Sequence, residues 1–190
     1  AVITARDRAC SFYMGEGRDS VLSNFVITGC GESAVFCNGA SPTLKNLTIV
    51  KNFIGIDGYG GASPDIVNCI LWENQKASLF AVSARYSCIE PTSWDVQMNN
   101  IKSTAGNISA DPLFADSARG DYHLKSFYGR YDPRTDSWVK DPAKTLSPCI
   151  DRGDPSEDAR NEPRGNGNRV NMGAYGGTRF ASKSGEATCP

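Results

Sequence analysis

The sequence predicts an all-β chain, a short right-handed parallel β-helix of three to four coils with an irregular C-terminal cap. Three observations predict it. Ala40-Ser41-Pro42 returns as Ala62-Ser63-Pro64, a repeat of 22 residues. Apolar and polar positions both keep that period. The runs between the repeats are short, rich in Ile, Val and Leu, and broken by Gly, Ser-Pro or Asn, which suits strands and not helices.

The columns follow in order along each coil. Leu22, Leu44 and Ile66 share a phase, then Asn24, Asn46 and Asn68, then Phe25, Leu47 and Cys69, then Ile27, Ile49 and Leu71. Asn52 and Asn74 also align. Stacked coils bury such columns together, which a single coil cannot do alone. A fourth step of 19 residues sets Cys88 under Cys69 and places Glu90 in the Ile27 column, so the coils are expected to end near here. The chain then divides, within one structural domain, into an N-terminal strand segment 1–19, coils 20–92, and a coil remnant with cap 93–190. Asn24, Asn46 and Asn68 read as a structural ladder whose amides pair with the coils above and below.

The 190 residues carry 20 basic and 21 acidic side chains, a net charge of −1, without the basic patch that nucleic acid requires. The longest apolar stretch, near Ile66 to Trp72, is strand-sized and too short to span a bilayer. Seven cysteines without a C-x-x-C pair point to an oxidising, extracellular compartment. Ala1 reads as a mature N-terminus or as a boundary within a longer chain. Cys30 and Cys37 flank one loop and can staple it; Cys149 and Cys189 can tie down the tail. Cys69 and Cys88 are expected as inward neighbours, with a lean towards free thiols.

Glycoside hydrolysis needs two carboxylates flanking a sugar. Asp57, Asp65 and Glu73 are the available acids, but they form no column, and for lyase chemistry Arg85 is the candidate base close to a coil carrying acids. Asp151, Asp154 and Asp158 concentrate oxygen ligands in a Gly- and Pro-rich loop and are the candidate ligands for a calcium ion; pairing of these acids with neighbouring arginines is the competing reading. His123 stands alone as a histidine and reads as structural. Tyr59, Trp94 and Trp138 are candidates for stacking on sugars, whereas Trp72, inside an apolar run, suits packing against the cap. The sequons at Asn46 and Asn107 and the Arg152-Gly153-Asp154 tripeptide read as accidental.

Gly15-Glu16-Gly17 followed by Ser20 to Thr28, the Ser-Pro and Asn coils, Asp111-Pro-Leu-Phe114, Asp121-Tyr-His-Leu124, Ser147 to Asp154 and Asn171 to Gly177 resemble the right-handed parallel β-helix proteins of the pectate-lyase-like superfamily, of the large secreted bacterial type. The tail motifs are similar to the closing region of such proteins. The resemblance implies a secreted β-helix, and the superfamily includes lyases and hydrolases beside members that bind, adhere or build; fold alone does not choose among them. The small number of coils counts against a long catalytic groove. The expected function is therefore an extracellular structural or adhesive β-helix, self-assembling head to tail into a fibre or surface layer. The alternative is a polysaccharide-binding module or lyase-like enzyme. The expected partners are a second copy or a cell-surface polysaccharide.

Overall fold

The computed structural model describes residues 1–5, 8, 9, 11–94 and 106–185. Each coil contributes three short strands. The first holds β1 (Val2–Ile3), β2 (Ser11–Met14) and β3 (Val21–Ser23); the second, β4 (Val26–Thr28), β5 (Ser33–Asn38) and β6 (Thr43–Lys45). The third holds β7 (Thr48–Val50), β8 (Ile54–Tyr59) and β9 (Asp65–Val67); the fourth, β10 (Ile70–Trp72), β11 (Ala77–Phe80) and β12 (Ala84–Arg85), followed by β13 (Cys88–Ile89). Like strands stack in parallel as three sheets, β1-β4-β7-β10-β13, β2-β5-β8-β11 and β3-β6-β9-β12. The chain is a parallel β-solenoid of about four turns.

The register confirms the 22-residue step, since Val26 pairs Thr48 and Thr48 pairs Ile70. It also shows that the solenoid starts earlier than residue 20, because β1 and β2 already pair with β4 and β5. The fourth step differs from expectation. Ile70 pairs Cys88, a step of 18, so Ile89 and not Glu90 completes the file Ile3, Ile27, Ile49, Leu71. The reason lies between β11 and β12, where the Gly-Ala-Ser-Pro corner of the two preceding coils is missing. The winding therefore continues, and Cys88 bridges onward to Ile108.

Alternation along the strands sorts the side chains. Ile27, Ile49, Leu71 and Ile89 point inward, and with Leu44, Ile66, Val35, Ile56 and Leu79 they form the buried core. The opposite face of the first sheet carries Val26, Val50, Ile70 and Cys88, buried in separate clusters. Cys88 thus faces away from Cys69, and the expected inward thiol column does not form. Cys37, Cys69, Cys88 and Cys149 are buried free thiols, so neither a Cys30–Cys37 nor a Cys149–Cys189 link is made. Cys189 itself lies outside the described residues.

What covers that outer face is the C-terminal region. It carries two antiparallel hairpins, β14 (Phe114–Asp116) with β15 (Asp121–Leu124) and β16 (Arg130–Asp132) with β17 (Ser137–Val139). Tyr122 and Ala174 pack on Val26 and Val50; Leu124, Cys149, Ile150 and Met172 pack on Ile70 and Cys88. Trp72 contributes to both groups, as its place in an apolar run suggests. The cap therefore lies along the flank of the solenoid. Gly173 makes the approach possible, because a Cβ there would meet Ile70 and Thr48, and its φ is +87°.

The asparagine column has a different task from the one expected. Asn24, Asn46 and Asn68 sit above one another at a corner with φ of 60°, 49° and 56°, the left-handed region that asparagine tolerates better than most residues. Their amides do not pair between coils. Asn24 Nδ2 donates to the carbonyls of Ala174 and Gly176 at 3.1 and 3.0 Å, and Asn46 Nδ2 to that of Asn171 at 3.1 Å. Asn68 Oδ1 accepts from the Asp154 amide at 2.6 Å. The strip holds the tail. The inter-coil ladder is made instead by Asn52 and Asn74, where Asn52 Nδ2 donates to Asn74 Oδ1 at 3.1 Å and Asn52 Oδ1 accepts from the Cys30 amide at 3.0 Å.

Candidate functional site

The outward positions of the sheet β2-β5-β8-β11 build the site. Phe36, Asp57 and Phe80 stand in register on successive strands. Phe53 precedes β8 and remains 40% exposed. Trp94 lies flat on Phe80, with ring centroids 5.3 Å apart and 11° between planes. Lys76 sets its ammonium over three of these rings, 5.7 Å from Phe53, 5.7 Å from Phe80 and 5.6 Å from Trp94. Its position is fixed by the backbone, since the Lys76 amide donates to the Phe53 carbonyl and Thr92 Oγ1 donates to the Lys76 carbonyl.

Beside these rings a depression of about 290 Å³ is lined by Glu32, Ser33, Phe36, Phe53, Ile54 and Asp57, with Ala9 at its rim. Ser33 Oγ donates to Asp57 Oδ2 at 3.1 Å, which orients the carboxylate. Burial raises the Asp57 pKa, and the Ser33 hydrogen bond and the Lys76 charge act against that rise. The arrangement is an aromatic cluster with one cation set over three of its rings and one oriented acceptor beside it. Aromatic faces take up the C–H side of a sugar ring, and a fixed carboxylate accepts from its hydroxyls.

Of the expected stacking residues, Trp94 belongs to this face. Tyr59 is 68% exposed at the end of β8, and Trp138 lies on the distant β16–β17 hairpin beneath the Lys183 ammonium. The structure does not bring the three together. Phe36, Phe53, Phe80 and Lys76 went unnoticed in the sequence because Phe36, Asp57 and Phe80 are spaced 21 and 23 residues apart, off the 22-residue period.

The acids considered for hydrolysis occupy separate places. Asp57 faces the depression, Asp65 pairs with Arg85 on the β3-β6-β9-β12 sheet, and Glu73 pairs with Lys51 at another corner. Arg85 also pairs with Asp154, drawn from the tail. Burial disfavours its charge, but Asp65 and Asp154 outweigh this and raise its pKa. Asp151, Asp154 and Asp158 do not converge as calcium ligands would: Asp158 is held by its neighbour Arg160, in line with the competing reading, whereas Asp154 is held by Arg85, an arginine from the coils that the reading of the tail did not include. Among the described residues no group of acids, histidines and cysteines is arranged to hold a metal ion.

His123 is buried in the cap, its ring stacked at 3.6 Å on Tyr175 and its Nδ1 2.6 Å from Asp121 Oδ1. Asn46 and Asn107 of the two sequons are buried and hydrogen-bonded to backbone carbonyls, and Asp154 of the tripeptide is buried. Among the described residues no helix is long and apolar enough to cross a membrane.

No curated protein and no solved structure matches the chain. A family model described as disaggregatase related matches residues 4–153, from the end of β1 through the coils and both hairpins to the start of the tail. That span covers most of the chain, and the protein belongs to the disaggregatase-related family.

Proposed function

We propose that this chain is a non-catalytic, extracellular binding β-helix of the pectate-lyase-like type, which holds a polysaccharide against the β2-β5-β8-β11 face. The carrying observation is the convergence of Phe36, Phe53, Phe80 and Trp94 with Lys76 and the Ser33–Asp57 pair on one sheet surface. The cap covers the flank formed by the first sheet, and tail residues Asp154 and Glu157 bind Arg85 and Lys45 on the third. Among the described residues the aromatic face is thus the side of the solenoid that the cap and tail do not cover. A polymer suits an in-register surface because successive strands, about 4.8 Å apart, present successive contacts along it.

Calorimetric titration with soluble neutral and uronate-containing polysaccharides tests the reading. Trp94→Ala and Asp57→Asn are each expected to weaken binding roughly tenfold, about 1.4 kcal/mol, while Trp138→Ala leaves it unchanged. Equal affinity of wild type and both face variants removes the proposal.

A second reading, self-association end to end, is favoured by one observation. The edge strands β1, β2 and β3 carry the exposed apolar residues Val2, Met14 and Val21 at 56, 61 and 59% exposure. Parallel edges of this kind template a further coil. Light scattering should show growth with concentration that Val21→Lys suppresses; a constant monomer mass up to millimolar concentration rules this out.

A further inference from the structure

Two of the free thiols meet where the solenoid joins its cap. Cys88 lies on β13 in register with Ile70, facing out of the solenoid, and Cys149 lies in the tail. Both are fully buried, and both belong to the cluster of Ile70, Leu124, Ile150 and Met172. Cys88 Sγ donates to the Ala110 carbonyl at 3.2 Å, and the two thiols are near enough to shift each other's ionisation. Cys37 and Cys69, by contrast, sit in the separate interior core. The backbone holds both partners in place, since the Cys88 amide donates to Cys69 and the Cys149 carbonyl accepts from the Met172 amide at 2.9 Å.

We propose that Cys88 and Cys149 are a redox modification site, a dithiol that oxidises to a disulfide and locks the cap onto the fourth coil. The polarity of the pair assigns the order of events. The neighbouring Cys149 thiol holds the Cys88 thiol below the usual range, ahead of the opposing effect of burial, while Cys88 and burial push Cys149 up. Cys88 therefore attacks first. With a small disulfide such as oxidised glutathione, the Cys88 thiolate attacks one sulfur, forms a mixed disulfide and expels one glutathione thiolate. Cys149 then loses its proton and attacks the Cys88 sulfur, expelling the second. The net change is two protein thiols oxidised, one glutathione disulfide reduced to two thiols, and two hydrogens transferred.

Because neither sulfur is exposed, the oxidant gains access only when the cap lifts, so the rate should saturate with oxidant concentration. The bond closes the chain from 88 to 149, which contains both hairpins. Cross-linking a loop of this size restricts the unfolded chain and is expected to raise the melting temperature on the order of 10 °C.

The test uses the full chain incubated with oxidised glutathione, alkylated and digested with trypsin. The expected product joins peptide 86–102 to peptide 145–152, two mass units lighter than the sum of the free peptides. The melting temperature should rise with its yield, and Cys149→Ser should abolish both. Glutathione adducts or alkylated thiols at both positions, or a link from either to another cysteine, overturn the assignment. A correct link that leaves the melting temperature unmoved overturns the locking role.

Discussion

Replacing Asn52 by leucine is expected to remove about 4 kcal/mol of folding stability, a large share of the roughly 5–15 kcal/mol that folded domains possess. Leucine is close in volume, so no cavity or clash contributes. The loss is polar. Asn52 is fully buried; its Oδ1 accepts from the Cys30 amide at 3.0 Å, and its Nδ2 donates to the carbonyls of Ile27 and Val50, both at 3.1 Å. Those groups lie at a bend between strands, and leucine leaves them buried without these partners. Each such group costs about 1–3 kcal/mol, whereas a satisfied hydrogen bond contributes only about 1. Urea unfolding of the two proteins measures the difference, and a loss under about 1 kcal/mol would show that the ladder is ornamental to stability.

Stability is also expected to decline as pH rises from about 4.5 to about 7, by about 3 kcal/mol, because of Glu162 in the cap. Burial pushes this carboxyl up to about 7, and Asp151 adds to the rise; the hydrogen bonds from the Asn171 and Gly177 amides to Oε1, at 2.8 and 2.7 Å, only partly oppose it. Its other oxygen is buried without a partner. The sign follows from proton binding. The folded chain holds this proton more tightly than the unfolded chain, so the contribution is complete below pH 4.5 and lost through pH 7. Glu162→Gln keeps a neutral acceptor for the two amides and should flatten the profile across that window, giving a protein more stable than wild type at pH 8 and similar at pH 4. Parallel melting curves of the two proteins over the window would contradict this account. Asp154 does not mask the effect. Burial raises its pKa, but the Ser156 hydrogen bonds and Arg85 hold it below 3.8, so its share is lost only in more acid solution.

The solenoid was legible in the sequence because stacking forces like residues into files. Ile27, Ile49 and Leu71 share a 22-residue phase for the same reason that they share a face. Legibility failed where the coil length changed. Aligning Cys88 with Cys69 was chemically sensible, yet loss of one corner moved the register by a residue, and a one-residue slip reverses which way every side chain points. The asparagines show a subtler limit. Both Asn columns are periodic, but only backbone geometry separates Asn52, turned inward to neighbouring coils, from Asn46, whose amide serves a segment 125 residues away. Nothing in local spacing encodes that distant partner. Of the candidate site, Trp94 and Asp57 were among the residues weighed, whereas the phenylalanines and Lys76 became neighbours only through pairings of unequal spacing.

The strip of corner asparagines sets the order in which the molecule can be assembled. Cys149 meets the fourth coil, Asp154 and Asn171 the third and second corners, and Ala174 the first. The tail therefore retraces the chain backwards, and its contacts span up to 152 positions. Such high contact order makes docking slow. During synthesis the coils can zip up in chain order, but the apolar flank around Val26, Val50, Ile70 and Cys88 stays bare until the segment from Phe114 to Ala174 has been made. That interval, and not the winding itself, is where this chain is most exposed to aggregation.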